Sequence, residues 1–282
     1  MILEEDHKQE AILDSVVRSP AVAGQFYPAR AETLLRDVRQ YSVAKAERVR
    51  AIGCVVPHAG YMYSGHVAGA VYASLELPKR FIILCPNHTG MGAPLAIMSN
   101  GNWRTPLGEA RIDQRLATGL KAACSFLQED TEAHRSEHAL EVQIPFLQAL
   151  VEEFSFVPIT VGIGQFEVLE ALGHAIAEVV SSSHERVLVI ASSDMNHYES
   201  DAVTRVKDRK AINQILALHP EGLHEVVHRE NISMCGYGPT VAMLTAARDE
   251  GAQRAELIKY ATSGDISGDR DMVVGYAGII VV

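Results

Sequence analysis

Three apolar runs end in the same way, and together they restrict the fold more than any other feature of the chain. Ile52 to Val56 runs into Pro57-His58-Ala59-Gly60-Tyr61, and Phe81 to Cys85 into Pro86-Asn87-His88-Thr89-Gly90. Val187 to Ala191 runs into Ser192-Ser193-Asp194-Met195-Asn196-His197. Short apolar runs closed by proline or small polar residues read as fully buried strands. Each delivers a histidine just past its end, and Gly60 is expected to turn the chain close beside the first. Ligands of open α/β sheets bind outside the carboxyl ends of the strands. If the three strands lie side by side and parallel, His58, His88 and His197 converge on one cleft. A lone strand-end histidine is ordinarily a hydrogen-bonded turn residue; three in matched contexts point to a site.

Helical spacing recurs between the strands, at residues 31–41, 64–75, 166–180, 201–218, 220–228 and 240–248. Further strands are expected at 94–98, 102–103, 154–161, 255–261 and 273–282. Asp113 can cap a helix carrying Leu116 and Leu120. Residues 127–135 read as a loop, and residues 136–150 as a helix that Pro145 kinks or restarts. Arg18 to Pro28, with two prolines and two aromatics, reads as an ordered non-helical segment that must pack on something. Strands and helices alternate without a Pro/Ser-rich linker. The expectation is one α/β domain over residues 18–282, with a mainly parallel central sheet and helices on both faces, after an amphipathic leader at 1–17.

At 282 residues and 48% hydrophobic content the chain can bury a sizeable core. Its net charge of −10 argues against nucleic acid as the main partner, since phosphate binding needs a basic face. The acidic start, MILEEDHKQE, has no signal-peptide pattern, and no apolar run reaches membrane-spanning length. Cys54, Cys85, Cys124 and Cys235 form neither a CxxC pair nor a secreted disulfide framework, which suits a cytoplasmic location.

Four further residues carry candidate chemistry. In Glu137-His138-Ala139-Leu140-Glu141, a helix would put His138 and Glu141 on one face, so that the carboxylate orients the imidazole or accepts its proton; an ordinary helix ion pair is the alternative. Asp194 beside His197 can fix its tautomer and raise its basicity, or simply cap the following turn. Cys235 lies in the glycine-bracketed turn Met234-Cys235-Gly236-Tyr237-Gly238-Pro239 before a helix, where amide dipoles favour a thiolate. It can be a metal ligand, a nucleophile or a redox-sensitive thiol, and two histidines with a thiolate make an open first-row metal site. The chain lacks a dinucleotide fingerprint, a GxxxxGK[ST] loop and EF-hand spacing.

The stretches AVAGQFYP, VVPHAGYMYSG, PNHTG, EHALEVQIPFLQ, VPITVG, ASSDMNHY, MCGYGP and YATSGDISGD resemble the Memo family, in its prokaryotic branch known as AmmeMemoRadiSam system protein B. They run in family order from about residue 18 to the end. The resemblance implies a fold similar to class III extradiol dioxygenases, which use non-haem iron. It implies His58 and His88 as metal ligands and Cys235 as a third metal contact, where the dioxygenases have a carboxylate. His197 takes the place of the acid/base histidine, with Asp194 beside it; His138 joins them as a catalytic candidate. Fe(II) is the expected metal, with zinc or copper as alternatives. The family naming implies a functional link to a radical SAM protein and an AMMECR1-type protein. The expected function is an iron-dependent, dioxygenase-like oxidoreductase acting on a small-molecule or peptide ligand in the strand-end cleft. A non-catalytic metal- or partner-binding module and a zinc hydrolase are the alternatives.

Overall fold

The computed structural model describes residues 16–43 and 47–282. The chain runs β1 (Val17–Arg18), α1 (Ala31–Tyr41), β2 (Gly53–Val56), α2 (Tyr61–Ala73), β3 (Arg80–Pro86), β4 (Leu95–Ile97), β5 (Asn102–Thr105) and β6 (Gly108–Ile112). It continues through α3 (Gln114–Ala123), β7 (Gln128–Glu129), α4 (Glu132–Arg135), α5 (Ile144–Leu150), β8 (Ser155–Val161), α6 (Phe166–Ser181), β9 (Val187–Ser192) and β10 (His197–Glu199). Then follow α7 (Asp201–Leu216), α8 (Pro220–Arg229), α9 (Tyr237–Asp249), β11 (Ala255–Thr262), α10 (Gly264–Ser267) and β12 (Val273–Val281).

The sheet is mixed, with a parallel centre in the order β6-β8-β3-β9-β2. Antiparallel β5 and β12 flank that centre. Strand alternation sends successive side chains to opposite faces. Val55, Ile82, Leu84, Val189 and Ala191 pack with α3, α6, α7, α8 and α9. Cys54, Val56, Phe81, Ile83, Leu188 and Ile190 pack with α1, α2 and α5. Burial on both faces is why these strands read as unbroken apolar runs. The expected single α/β domain with a mainly parallel sheet is therefore what this sequence folds into.

Local corrections have physical causes. Asp113 caps α3 by accepting Leu116 N–H at 3.0 Å, as its position predicts. Of the two expectations for Pro145, the restart is what forms: it sits in the first turn of α5, where its missing N–H leaves no bond unmade. Residues 132–135 form α4, and His134, expected in a polar loop, is fully buried against Trp103. The leader expected at 1–17 falls, through residue 15, outside the described residues, and Val17 already pairs with Asn102 in the sheet.

The Arg18–Pro28 segment is ordered because Glu141 holds it. That fully buried carboxylate accepts from Arg18 Nη1 (2.6 Å), Ala21 N–H (2.7 Å), Val22 N–H (3.1 Å) and the Tyr27 hydroxyl (2.6 Å). Arg18 also donates to the carbonyls of His134 (2.7 Å) and Glu137 (2.8 Å) and lies over the Trp103 ring. A buried charge this fully paired escapes the large desolvation cost of a lone ion. The segment is thereby laid beside the carboxyl ends of the strands, and Phe26 packs on His138 with ring centroids 4.6 Å apart.

Candidate functional site

The parallel neighbours β3, β9 and β2 are the three strands that precede the histidines, with β9 in the middle. His58 and His88 therefore leave strands on either side of β9 and lean together, with ring centroids 5.2 Å apart. His138 enters from the loop before α5, 5.5 Å from the His58 ring and stacked on His88 at 4.7 Å. One ring nitrogen from each of His58, His88 and His138 lies within 4.8 Å of the others, close enough to share a metal ion. Cys235 Sγ stands 3.2 Å from His58 Nε2.

Each ring is held by its surroundings. His88 Nδ1–H donates to Glu137 Oε1 at 2.9 Å, which leaves Nε2 free as a donor to a metal. The other oxygen of Glu137 accepts His88 N–H at 2.6 Å, and Oε1 also accepts Ala139 N–H at 2.9 Å. Burial opposes the charge on Glu137, but these hydrogen bonds and the neighbouring His88 hold its carboxyl below the usual range. His138 Nδ1 stands 3.4 Å from the same carboxylate. The pairing of His138 with Glu141 expected from helical spacing does not form, because residues 137 and 138 are not helical and Glu141 is consumed by Arg18 and the segment behind it.

Asp194 and His197 part company. Asp194 is buried and accepts the backbone N–H groups of His58 (2.8 Å) and Ala59 (3.3 Å), so it anchors the turn carrying His58. Gly60, in that turn, has an ordinary φ of −52° and serves as the N-cap of α2. Burial pushes the Asp194 carboxyl up to about 7, against the lowering pull of its two backbone donors. His197 instead donates from Nδ1 to the Ser233 carbonyl at 2.9 Å, and its own N–H meets Ser233 Oγ at 2.8 Å. A carbonyl only accepts, so neutral His197 carries its proton on Nδ1 and leaves Nε2 unprotonated. Burial lowers its pKa. Among the described residues, then, the proton-transfer candidate is oriented by a backbone carbonyl, not by Asp194.

The His197 segment rests on a second buried carboxylate. Asp208 accepts Asn196 N–H at 2.8 Å and the Tyr260 hydroxyl at 2.7 Å. Gly275 permits this approach, since a Cβ there would collide with the Asp208 carboxylate. Burial raises Asp208 to about 7 from an ordinary 3.8. The folded protein thus binds this proton more tightly than the unfolded chain does. The stabilisation is full below the ordinary carboxylate value and is lost as pH climbs to about 7. Asp208→Asn should therefore be more stable than the parent at pH 8, on the order of a few kcal/mol, with the difference shrinking towards pH 4. Urea denaturation at several pH values checks this, and a pH-independent difference would contradict it.

Cys235 lies one residue before the N-cap of α9. Gly236 lets that helix start abut the end of β9: a Cβ at 236 would strike Ser192 O and the Ser193 side chain, and Gly236 N–H bonds Ser193 Oγ at 3.0 Å. The expected low-pKa thiolate is not found. Burial, reinforced by the nearby Asp194 charge, raises the thiol well above its usual value. Burial and neighbouring histidines push His58 down. Both shifts favour a neutral thiol against a neutral imidazole. The three imidazole nitrogens fit a first-row metal; Cys235 is not one of that group and stands beside it, against His58.

Sequence reasoning names His58, His88, His138, His197, Asp194 and Cys235 as candidates but does not single out Glu137, which holds His88, Ser233, which holds His197, or Asp208, which holds the His197 segment. Glu137 lies in the polar run Arg135-Ser136-Glu137-His138, so nothing in its immediate sequence marks it as buried. A groove of about 1420 Å³ lies at the opposite, amino-terminal edge of the strands. It includes the Arg80–Asp113 ion pair, whose carboxylate is also occupied by Leu116 N–H and Ser155. It holds no cluster of catalytic type.

Among the described residues no helix is long and apolar enough to cross a membrane. A solved structure of an uncharacterized protein from Escherichia coli K12 shares the fold, with a TM-score of 0.56 at 12% identity, covering 82% of this chain and 100% of that one. A MEMO1 family protein of Methanosarcina mazei is 45% identical over 267 residues, covering 94% of this chain and 99% of the relative. One from Methanopyrus kandleri is 44% identical over 277 residues, covering 93% and 98%. The sequence profile described as Memo-like protein matches residues 18–280, and the chain belongs to that family.

Proposed function

We propose that this protein is a metal-dependent oxidoreductase, with a non-haem iron centre at His58, His88, His138 and Cys235 and with His197 as its acid/base. The observation that carries this reading is the convergence of three imidazoles within 4.8 Å beside a thiol, at the carboxyl ends of parallel strands. When bound, iron supplies redox chemistry and a Lewis acid for an oxygen-donor ligand. The chain's own part is orientation and proton transfer. Glu137 fixes His88, Asp194 fixes the turn of His58, and the unprotonated Nε2 of His197 takes a proton from a small ligand in the cleft. Half-buried Phe26, packed on His138, gives the cleft an apolar wall.

The three-imidazole set also supports a second reading, a zinc hydrolase. Metal analysis of anaerobically purified protein, with activity measured in the metal-free and reloaded forms, separates the two. Iron with metal-dependent oxygen uptake is the expected result. Zinc with hydrolysis, or neither metal with any turnover, overturns the oxidoreductase reading. His197→Gln should keep its metal while turnover falls by roughly 10²–10⁴-fold.

A further inference from the structure

We propose that Tyr72, Gln143 and Ser192 form a buried hydrogen-bond relay that locks His58 as its Nδ1–H tautomer, so that Nε2 is offered as a lone pair before any metal arrives. The three are positioning residues, and the inference rests on reading His58 as a metal donor. All four side chains are almost wholly buried, at 1% exposure for Tyr72, 0% for Gln143 and Ser192, and 2% for His58. Their polar atoms must satisfy one another.

The proton positions follow from which atoms can only accept. Gln143 approaches the Pro57 carbonyl at 3.0 Å, so its nitrogen must face that side. Its oxygen then faces the Tyr72 hydroxyl at 2.8 Å, and Tyr72 must donate. The second amide hydrogen of Gln143 points to Ser192 Oγ at 2.8 Å. Ser192 owns one hydrogen, and the Ala139 carbonyl at 2.6 Å can only accept it. The remaining contact of Ser192 Oγ, with His58 Nδ1 at 3.0 Å, therefore needs a hydrogen from the imidazole. His58 Nε2 is left unprotonated, facing Cys235 Sγ at 3.2 Å, the nearer of the thiol's two acceptors, the Asp194 carbonyl lying at 3.7 Å. The opposite tautomer would turn the Ser192 hydrogen towards His58 and leave the buried Ala139 carbonyl without its donor. Ala139 N–H is also bound to Glu137, the residue that orients His88. One hydroxyl thus ties the His58 turn to the loop that carries Glu137 and His138.

The test is the histidine tautomer in metal-free protein. Long-range proton–nitrogen correlation on the ¹⁵N-histidine-labelled chain, with His58 assigned by its loss in His58→Gln, should show Nδ1 protonated and Nε2 bare. A His58 carrying its proton on Nε2 overturns the proposal. Ser192→Ala should move the population towards Nε2–H and weaken Zn²⁺ binding about 10–100-fold, whereas Ser192→Thr keeps the hydroxyl and both properties. Unchanged tautomer and affinity in Ser192→Ala overturn the relay as well. If Ser192→Ala fails to fold, the wild-type spectrum still decides. A wild type with the expected tautomer that binds no metal supports the relay and sinks the metal-centre reading, so the two failures are distinguishable.

Discussion

His138→Ala is expected to weaken Zn²⁺ or Fe²⁺ binding as severely as His58→Ala. Total binding free energies of about 10–16 kcal/mol shared among four donors assign roughly 2.5–4 kcal/mol to each, or on the order of 10²–10³-fold in affinity. Family resemblance implies His58, His88 and Cys235 as the metal contacts, and the spacing to Glu141 reads His138 as a catalytic candidate. The geometry instead groups His138 with His58 and His88, its ring stacked 4.7 Å from His88. His197→Ala should leave affinity nearly unchanged, because its Nδ1 is spent on Ser233. Competition titration against a chelator under anaerobic conditions measures all four proteins. A His138→Ala variant that binds like wild type would return His138 to a role outside the coordination sphere.

What is legible in the sequence is local. Proline and small polar residues punctuate β2, β3 and β9, and burial on both faces makes their apolar runs unmistakable, so the three strand-end histidines can be read directly. Partner choice is not local. Residues 136–150 have helical spacing, yet Glu137 accepts from the backbone of both His88 and Ala139 and draws the chain out of the helix. The carboxylate that matters is then the neighbour of His138, and Glu141, four residues on, braces Arg18 instead. Strand β6 does alternate, with Glu109 and Arg111 exposed and Ala110 and Ile112 buried, but over five residues with alanine as one of its two apolar positions the period-2 signal is weak. Cys235 shows the limit of a one-dimensional electrostatic argument: backbone groups, Gly236 at the start of α9 among them, do pull its thiol down, but burial and the Asp194 charge outweigh them.

The same balance of charges makes metal binding steeply dependent on pH. The Cys235 thiol is pushed up and stays protonated in the metal-free protein, and coordination through sulfur must expel that proton. His58 and His138 are pushed down by burial and enter the reaction neutral. Rising pH therefore favours binding, and the dissociation constant should fall about tenfold per pH unit between pH 6.5 and 8.5, with one proton released per ion. In Cys235→Ala the slope should flatten and the affinity at pH 8.5 should drop. Calorimetric titration in buffers of different ionisation enthalpy counts the protons directly. A wild-type slope near zero would show that the thiol remains a bystander beside His58.

The most direct measurement is anaerobic Co²⁺ titration of the metal-free protein, followed by metal analysis and absorption spectroscopy. One ion per chain is predicted, with a sulfur-to-metal charge-transfer band that disappears in Cys235→Ser. The variant carrying His58→Ala, His88→Ala and His138→Ala together should bind no stoichiometric ion. An ion retained by that variant, or none bound by the wild type, would contradict a metal centre at the ends of β2 and β3.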